Sequence, residues 1–170
     1  TKLNMSLASV KIELFRAREL LYNALQVKED YKSQLILKYF PSLSIEQIVA
    51  FEKMQELYEF WNNQINLISR KDIASLYEKH ILHSLSIAKI IQFKDQTRIL
   101  DVGTGGGFPG IPLAVMFPNC RFTLVDKTGK KIKAVEEISK ALGLKNVVNT
   151  DEELKEVIDE LYKGYHGWDF

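Results

Sequence analysis

The sequence predicts an α/β fold, a parallel sheet wound with helices and preceded by a helical region. Two stretches carry that prediction. The first is Arg98-Ile-Leu-Asp-Val-Gly-Thr-Gly-Gly-Gly-Phe-Pro-Gly-Ile-Pro-Leu113. Its apolar run of Ile99, Leu100 and Val102 reads as a buried strand, its glycines as a sharp turn, and the segment from about Pro109 to Phe117 as a helix stopped at Pro118. The second is Arg121-Phe-Thr-Leu-Val-Asp126, a strand ending in a carboxylate. Strand, glycine turn, helix and strand in that order make a parallel βαβ unit.

The chemistry of the turn follows from its residues. Gly103, Gly105, Gly106 and Gly107 let the backbone turn and approach a ligand without a Cβ in the way. The helix start that follows offers unpaired N–H groups. Asp101, at the end of the strand, decides between ligands. Its negative charge suits a ligand with a cationic end, such as the amino group and sulfonium of S-adenosylmethionine, and repels the pyrophosphate that a dinucleotide would place here. Gly105, Gly107 and Gly110 also fit G-x-G-x-x-G, so the glycines alone do not choose, and a turn that merely needs glycine is the plain alternative. Asp126 lies slightly more than twenty residues past the glycines, where such folds place an acid on the ribose hydroxyls. Its plain alternative is a strand-end residue that starts a turn.

Composition sets the bounds. The chain has 170 residues, 46% hydrophobic and 26% charged, with a net charge of +1, which suits a globular protein with a buried core. That balance carries no global nucleic-acid signature, so a site for RNA has to be a local patch. The lone Cys120 excludes an internal disulfide or a cysteine metal cluster and fits a reducing compartment. No run reaches membrane length and no signal-peptide pattern opens the chain, so the expected location is the cytoplasm.

Before the sheet, residues 1 to about 32 read as one long helix. Leu3, Leu7, Val10, Leu14, Ala17, Leu21 and Ala24 form a heptad-like seam, for packing on the chain's own domain or for pairing with a second chain. A short helix from about Gln34 to Phe40 ends before Pro41. Ser44 caps a long helix with Gln47 as its box partner, and Ile45, Ile48, Leu57, Trp61 and Ile65 form its apolar face. The amide-rich segment Trp61-Asn-Asn-Gln-Ile-Asn-Leu-Ile-Ser69 follows. Residues 79–88 read as another helix, with His80 and His83 on one face but no further ligands for a metal. After the second strand, Lys127, Lys130, Lys131 and Lys133 cluster at the start of a helix ending at Gly143. They form either a patch for nucleic-acid phosphates or a solvated helix start. Residues 146–149 read as a third strand, and Thr150 with Glu153 as the capping box of a last helix. The expected divisions are a helical extension over 1–33, a helical cap over 34–95 and a Rossmann-like cofactor-binding domain over 96–170.

Several of these blocks together resemble a known family. Trp61-Asn62 with Asn66-Leu67, Lys79-His80-Ile81-Leu82 with Ser84, Asp101-Val-Gly-Thr-Gly-Gly-Gly-Phe-Pro-Gly-Ile-Pro112, and Phe122-Thr-Leu-Val-Asp126 with Gly129-Lys130-Lys131 are similar to the bacterial 16S ribosomal RNA guanine-N7 methyltransferases, the glucose-inhibited division protein B family. The resemblance runs from about Leu35 to Val147. It implies a class I S-adenosylmethionine-dependent methyltransferase fold and methyl transfer to guanine N7 of 16S ribosomal RNA, free or in the small ribosomal subunit. It implies a cofactor pocket lined by Gly103, Gly105, Phe108 and Asp126, to which the reading of the turn itself adds Asp101, Thr104 and Gly107; the candidate RNA contacts, Lys127, Lys130, Lys131 and Lys133, come from the lysine cluster and not from the resemblance. Asn66 and His80 are the candidates for shaping a guanine pocket. No catalytic base is named, because N7 carries no proton to remove.

Position 83 holds His where the family commonly has Asp, and residues 1–34 precede the family's usual start. The sequence stops where a class I fold's fourth strand is expected, which predicts an incomplete sheet. Self-association through the exposed edge of the first strand or through the N-terminal helix is expected with it. A methyltransferase for small molecules and an inactive cofactor-binding or interaction module are the competing readings.

Overall fold

The computed structural model describes residues 31–148, and side chains from Gln34 onward. The expected helix over 1–32, apart from its last residues, and the capping box at Thr150 lie outside the described residues. The chain divides between Val49 and Ala50 into two compact units.

In the first unit, helix α1 spans Tyr31–Tyr39 and ends before Pro41. Helix α2 spans Ile45–Gln64 and begins in this unit. Its capping box forms as the sequence predicts. The Gln47 side chain accepts from the Ser44 amide at 2.8 Å, and Ser44 Oγ accepts from the Gln47 amide at 3.3 Å.

In the second unit, the buried stripe of α2 is Phe51, Met54, Gln55, Tyr58 and Asn62. Leu57, Trp61 and Ile65 from the expected apolar face are only partly buried. Apolar spacing picked the neighbouring stripe because two amides, Gln55 and Asn62, occupy buried positions. Gln55 donates to the Ile73 carbonyl at 3.1 Å, and Asn62 holds the loop after α2.

The helix expected over 79–88 is wider at its start. Tyr77–Leu82 form a π-helical turn, which continues into α3 at His83–Ile90. Apolar periodicity does not distinguish the two geometries over a single turn, and such turns gather at functional sites. Tyr77, buried in this turn, donates its hydroxyl to the Phe51 carbonyl at 2.5 Å.

The sheet has three parallel strands in the order β1-β2-β3: Arg98–Val102, Arg121–Val125 and Val147–Val148. Register pairs Asp101 with Leu124 and Val102 with Val125, so the strands end together. Helix α4, Gly110–Met116, joins β1 to β2, and α5, Gly129–Ala141, joins β2 to β3. Both lie on one face of the sheet, for Ile111 of α4 and Val135 of α5 meet over Gly107. Parallel crossovers are right-handed, and two made in the same direction put their helices on the same side. The other face keeps Leu100 and Val102 39% and 53% exposed. Among the described residues β1 is an edge strand.

Gly110 marks the closest approach of helix to sheet. A Cβ there falls 2.1 Å from Leu124 Cδ2 and 2.8 Å from Asp101 Oδ2, and Leu124 is fully buried, with no space to turn aside. Gly110→Ala therefore costs about 1–3 kcal/mol of stability through overpacking. Urea denaturation reads this directly, and an unchanged midpoint would show that α4 shifts outward freely.

Candidate functional site

The site is built at the carboxyl ends of β1 and β2, where open α/β sheets bind ligands. Between β1 and α4 the chain passes through residues 103–109. Gly107, at φ +89°, requires the absence of a side chain twice over. Its backbone is left-handed, and a Cβ would lie 2.7 Å from Ile111 Cγ1.

Two carboxylates tie this loop. Asp101 Oδ2 accepts from the Thr104 hydroxyl at 2.7 Å and from the Gly110 amide at 3.0 Å. One oxygen thus closes the loop onto the start of α4, and Oδ1 has no donor among the described residues. Asp126 ties the other side. Its Oδ2 accepts from the Gly105 amide at 2.9 Å and its Oδ1 from the Thr128 amide at 2.8 Å.

The two acids are in opposite electrostatic states. Burial raises the Asp101 carboxyl above its ordinary 3.8, and the bonds from Thr104 and Gly110 only partly counter it. For Asp126 burial also acts upward, but the Thr128 and Gly105 amides and the nearby Lys131 outweigh it, so its carboxyl is held below 3.8. Asp101 is the acid that a cationic ligand would relieve.

The helical region supports the loop from beneath. Tyr58, fully buried, donates its hydroxyl to the Gly106 carbonyl at 2.8 Å. Its ring meets Phe108 at 4.8 Å between centroids, and His80 meets the same Phe108 at 5.1 Å. His80 Nε2 is buried without a hydrogen-bond partner, 3.9 Å from Asp72 Oδ2. Asp72 is already ion-paired with Lys79. Burial holds the His80 imidazole below its ordinary value, against the pull of Asp72.

Of the residues named from the sequence, Asp101, Gly103, Thr104, Gly105, Gly107, Phe108 and Asp126 come together around one loop. Thr104 is buried against Asp101, and Phe108 is clasped by Tyr58 and His80. Asn66 is exposed on a cleft of about 370 Å³ lined by residues 66–70 and Lys131. The lysines divide, with Lys127, Lys130 and Lys133 exposed and Lys131 half-buried on the cleft.

Sequence reasoning missed Tyr58, which an apolar stripe at 51, 54 and 58 would have suggested. It also gave no role to Asn62, whose Oδ1 accepts from the Leu67 and Ile68 amides at 2.9 and 3.0 Å. Among the described residues no group of three or more His, Cys, Asp or Glu side chains is placed to hold a metal, and no helix is long and apolar enough to cross a membrane.

Comparison with known proteins is consistent with this geometry. Residues 47–164 match the family model described as rRNA small subunit methyltransferase G. A protein named ribosomal RNA small subunit methyltransferase G from Cytophaga hutchinsonii is 51% identical over 145 residues, covering 79% of this chain and 70% of that protein. Proteins of the same name from Phocaeicola vulgatus and Flavobacterium johnsoniae are 60% and 62% identical, covering 67% and 66% of this chain. The chain covers 54% of each of these two, about half of their length.

The opposed shifts predict opposed pH profiles. An acid with a raised folded-state value is stabilising when protonated, below 3.8, and that advantage is lost as pH rises through the folded value. Asp101→Asn, which keeps an acceptor oxygen, should therefore match the wild type in acid and exceed it in stability at neutral pH. Asp126 stabilises above 3.8 and loses that contribution as pH falls through its lower folded value. Asp126→Asn should be the weaker protein at neutral pH, with the gap closing in acid. Urea midpoints of both variants across pH 3–8 give the comparison, and profiles of the same sign would contradict the assignment.

Proposed function

The chain belongs to the rRNA small subunit methyltransferase G family, and we propose that it acts in methyl transfer from S-adenosylmethionine to N7 of a guanine in 16S ribosomal RNA. The observation that carries this reading is the pair of carboxylates flanking the glycine loop, Asp101 with one oxygen left without a donor among the described residues and Asp126 one residue past β2.

The residues fit the cofactor. A Cβ built on Gly103 meets nothing within 4 Å, so the loop borders open space beside Asp101. Asp101 would hold the ammonium group through Oδ1. Asp126, fixed by two amides, would receive the ribose hydroxyls on its remaining lone pairs. Gly103, Thr104, Gly105, Gly107 and Phe108 would form the wall. When bound, the cofactor supplies a methyl group on a sulfonium, already a good leaving group. Guanine N7 has an in-plane lone pair and no proton, so the protein's task is to hold the base in line and not to remove a proton. Asn66, exposed on the cleft, and His80, beneath Phe108, are our candidates for shaping the base pocket. Lys127, Lys130, Lys131 and Lys133 would meet RNA phosphates, and the target base must leave its stack to be reached. The same reading places the protein in the cytoplasm with the ribosome. The exposed Leu100 and Val102 support self-association through β1.

Because the chain covers about half the length of two of its relatives, binding and transfer are best measured separately. Calorimetry should show binding of S-adenosylmethionine and none of NAD. A labelled methyl group should then reach 16S ribosomal RNA or small subunits at guanine. NAD binding without S-adenosylmethionine binding would sink the reading. Transfer to small molecules alone would move it to another substrate class.

A further inference from the structure

We propose that the cleft between residues 66–70 and the first turn of α5 seats a backbone phosphate of the RNA strand, with Arg70 and Lys131 as its cations. The inference rests on the ribosomal RNA reading above and adds where the strand lies.

The cleft, about 370 Å³, is lined by Asn66, Leu67, Ile68, Ser69, Arg70 and Lys131. Both charged residues in that lining are cations and no acid joins them, on a chain whose net charge is only +1. They come from segments far apart in sequence, so the fold brings them together. Neither forms an ion pair among the described residues, whereas Lys79 and Lys140 each have carboxylate partners. Lys131 is the half-buried member of its lysine cluster and acts electrostatically on Asp126, which places it on the cofactor side of α5. The start of α5 adds the positive end of a helix dipole.

The wall carrying Arg70 is held in shape. Asn62 binds the Leu67 and Ile68 amides, and the Leu67 carbonyl stands 3.1 Å from where a Cβ on Gly106 would lie. The cleft is therefore set against the glycine loop, and a strand held there would carry its base beside the cofactor. The ammonium of that cofactor belongs with Asp101 in the same reading. Two cations suit an anion, and Asn66 and Ser69 add neutral hydrogen-bonding groups beside it.

The test measures binding of the full chain to a single-stranded 16S ribosomal RNA fragment across salt concentrations, with S-adenosylmethionine affinity measured alongside. Arg70→Gln and Lys131→Gln should each weaken RNA binding and flatten the log–log salt slope, by about 0.7 for every phosphate no longer neutralised. Cofactor affinity should hold within about twofold. Arg70→Lys should keep most of the slope. Lys140→Gln, at the far end of α5 and paired with Glu136 and Glu137, should leave it unchanged. An unaltered slope in both Gln variants, with wild-type RNA binding intact, overturns the phosphate site and leaves the methyltransferase reading standing. Loss of cofactor affinity with RNA binding unchanged overturns it too and assigns the cleft to the cofactor. Absence of RNA binding in the wild type defeats both.

Discussion

The site depends first on one oxygen atom. Asp101 Oδ2 receives the Thr104 hydroxyl and the Gly110 amide together, and so fixes the distance between the end of β1 and the start of α4. A loop rich in glycine has little internal reason to hold one shape, since glycine loses more backbone freedom on ordering than any other residue. The restraint has to come from outside the loop. Asp101 supplies it from β1, Asp126 from beyond β2 through the Gly105 amide, and Tyr58 from α2 through the Gly106 carbonyl. The parallel register that ends β1 and β2 together is what brings the first two within reach.

Those restraints also set the electrostatics. Asp126 is comfortable as an anion, with a backbone amide on each oxygen. Asp101 is not, because burial acts on its charge more strongly than its two donors compensate. An acid in that state has a ready-made preference for a cationic ligand, since the ligand relieves a cost already present in the free protein. By linkage, the ligand should lower the Asp101 pKa by the same free energy with which ionised Asp101 favours the ligand. The proposed function has use for such a preference, because S-adenosylmethionine carries an ammonium group as well as its sulfonium.

Much of this was legible in the sequence. The two strands, the glycine turn, the Ser44–Gln47 box and the end of α5 near Gly143 are local signals, written in apolar runs, caps and glycines. The gathering of Asp101, Gly105 and Asp126 followed from strand–turn–helix order. What stayed hidden depends on contacts between segments distant in the chain. Nothing local shows that Asn62 turns its amide onto Leu67 and Ile68, that Tyr58 reaches Gly106, or that Lys131 meets residues 66–70 across a cleft. The wide turn at Tyr77–Leu82 was hidden for a different reason, because apolar spacing cannot resolve a helix that gains one residue over one turn. The buried stripe of α2 misled because it carries amides where periodicity looks for hydrocarbon.

The uneven burial of the sheet follows from topology more than from composition. Both crossovers run the same way, from β1 to β2 and from β2 to β3, so right-handedness places α4 and α5 on one face. Leu113, Ala114, Val135 and Ile138 are buried there, along with Phe122 and Leu124 of β2. Leu100 and Val102 point the other way by strand alternation and stay exposed, although they are as apolar as their buried neighbours. Covering that face with helices requires a crossover that leaves β1 in the opposite direction, and none occurs among the described residues. A doubly wound sheet places its binding crevice where the winding changes direction, beside its first strand. The exposed flank of β1 and the glycine loop at its carboxyl end are therefore consequences of the same connection order. The strand that anchors the glycine loop is also the strand that the described fold leaves open.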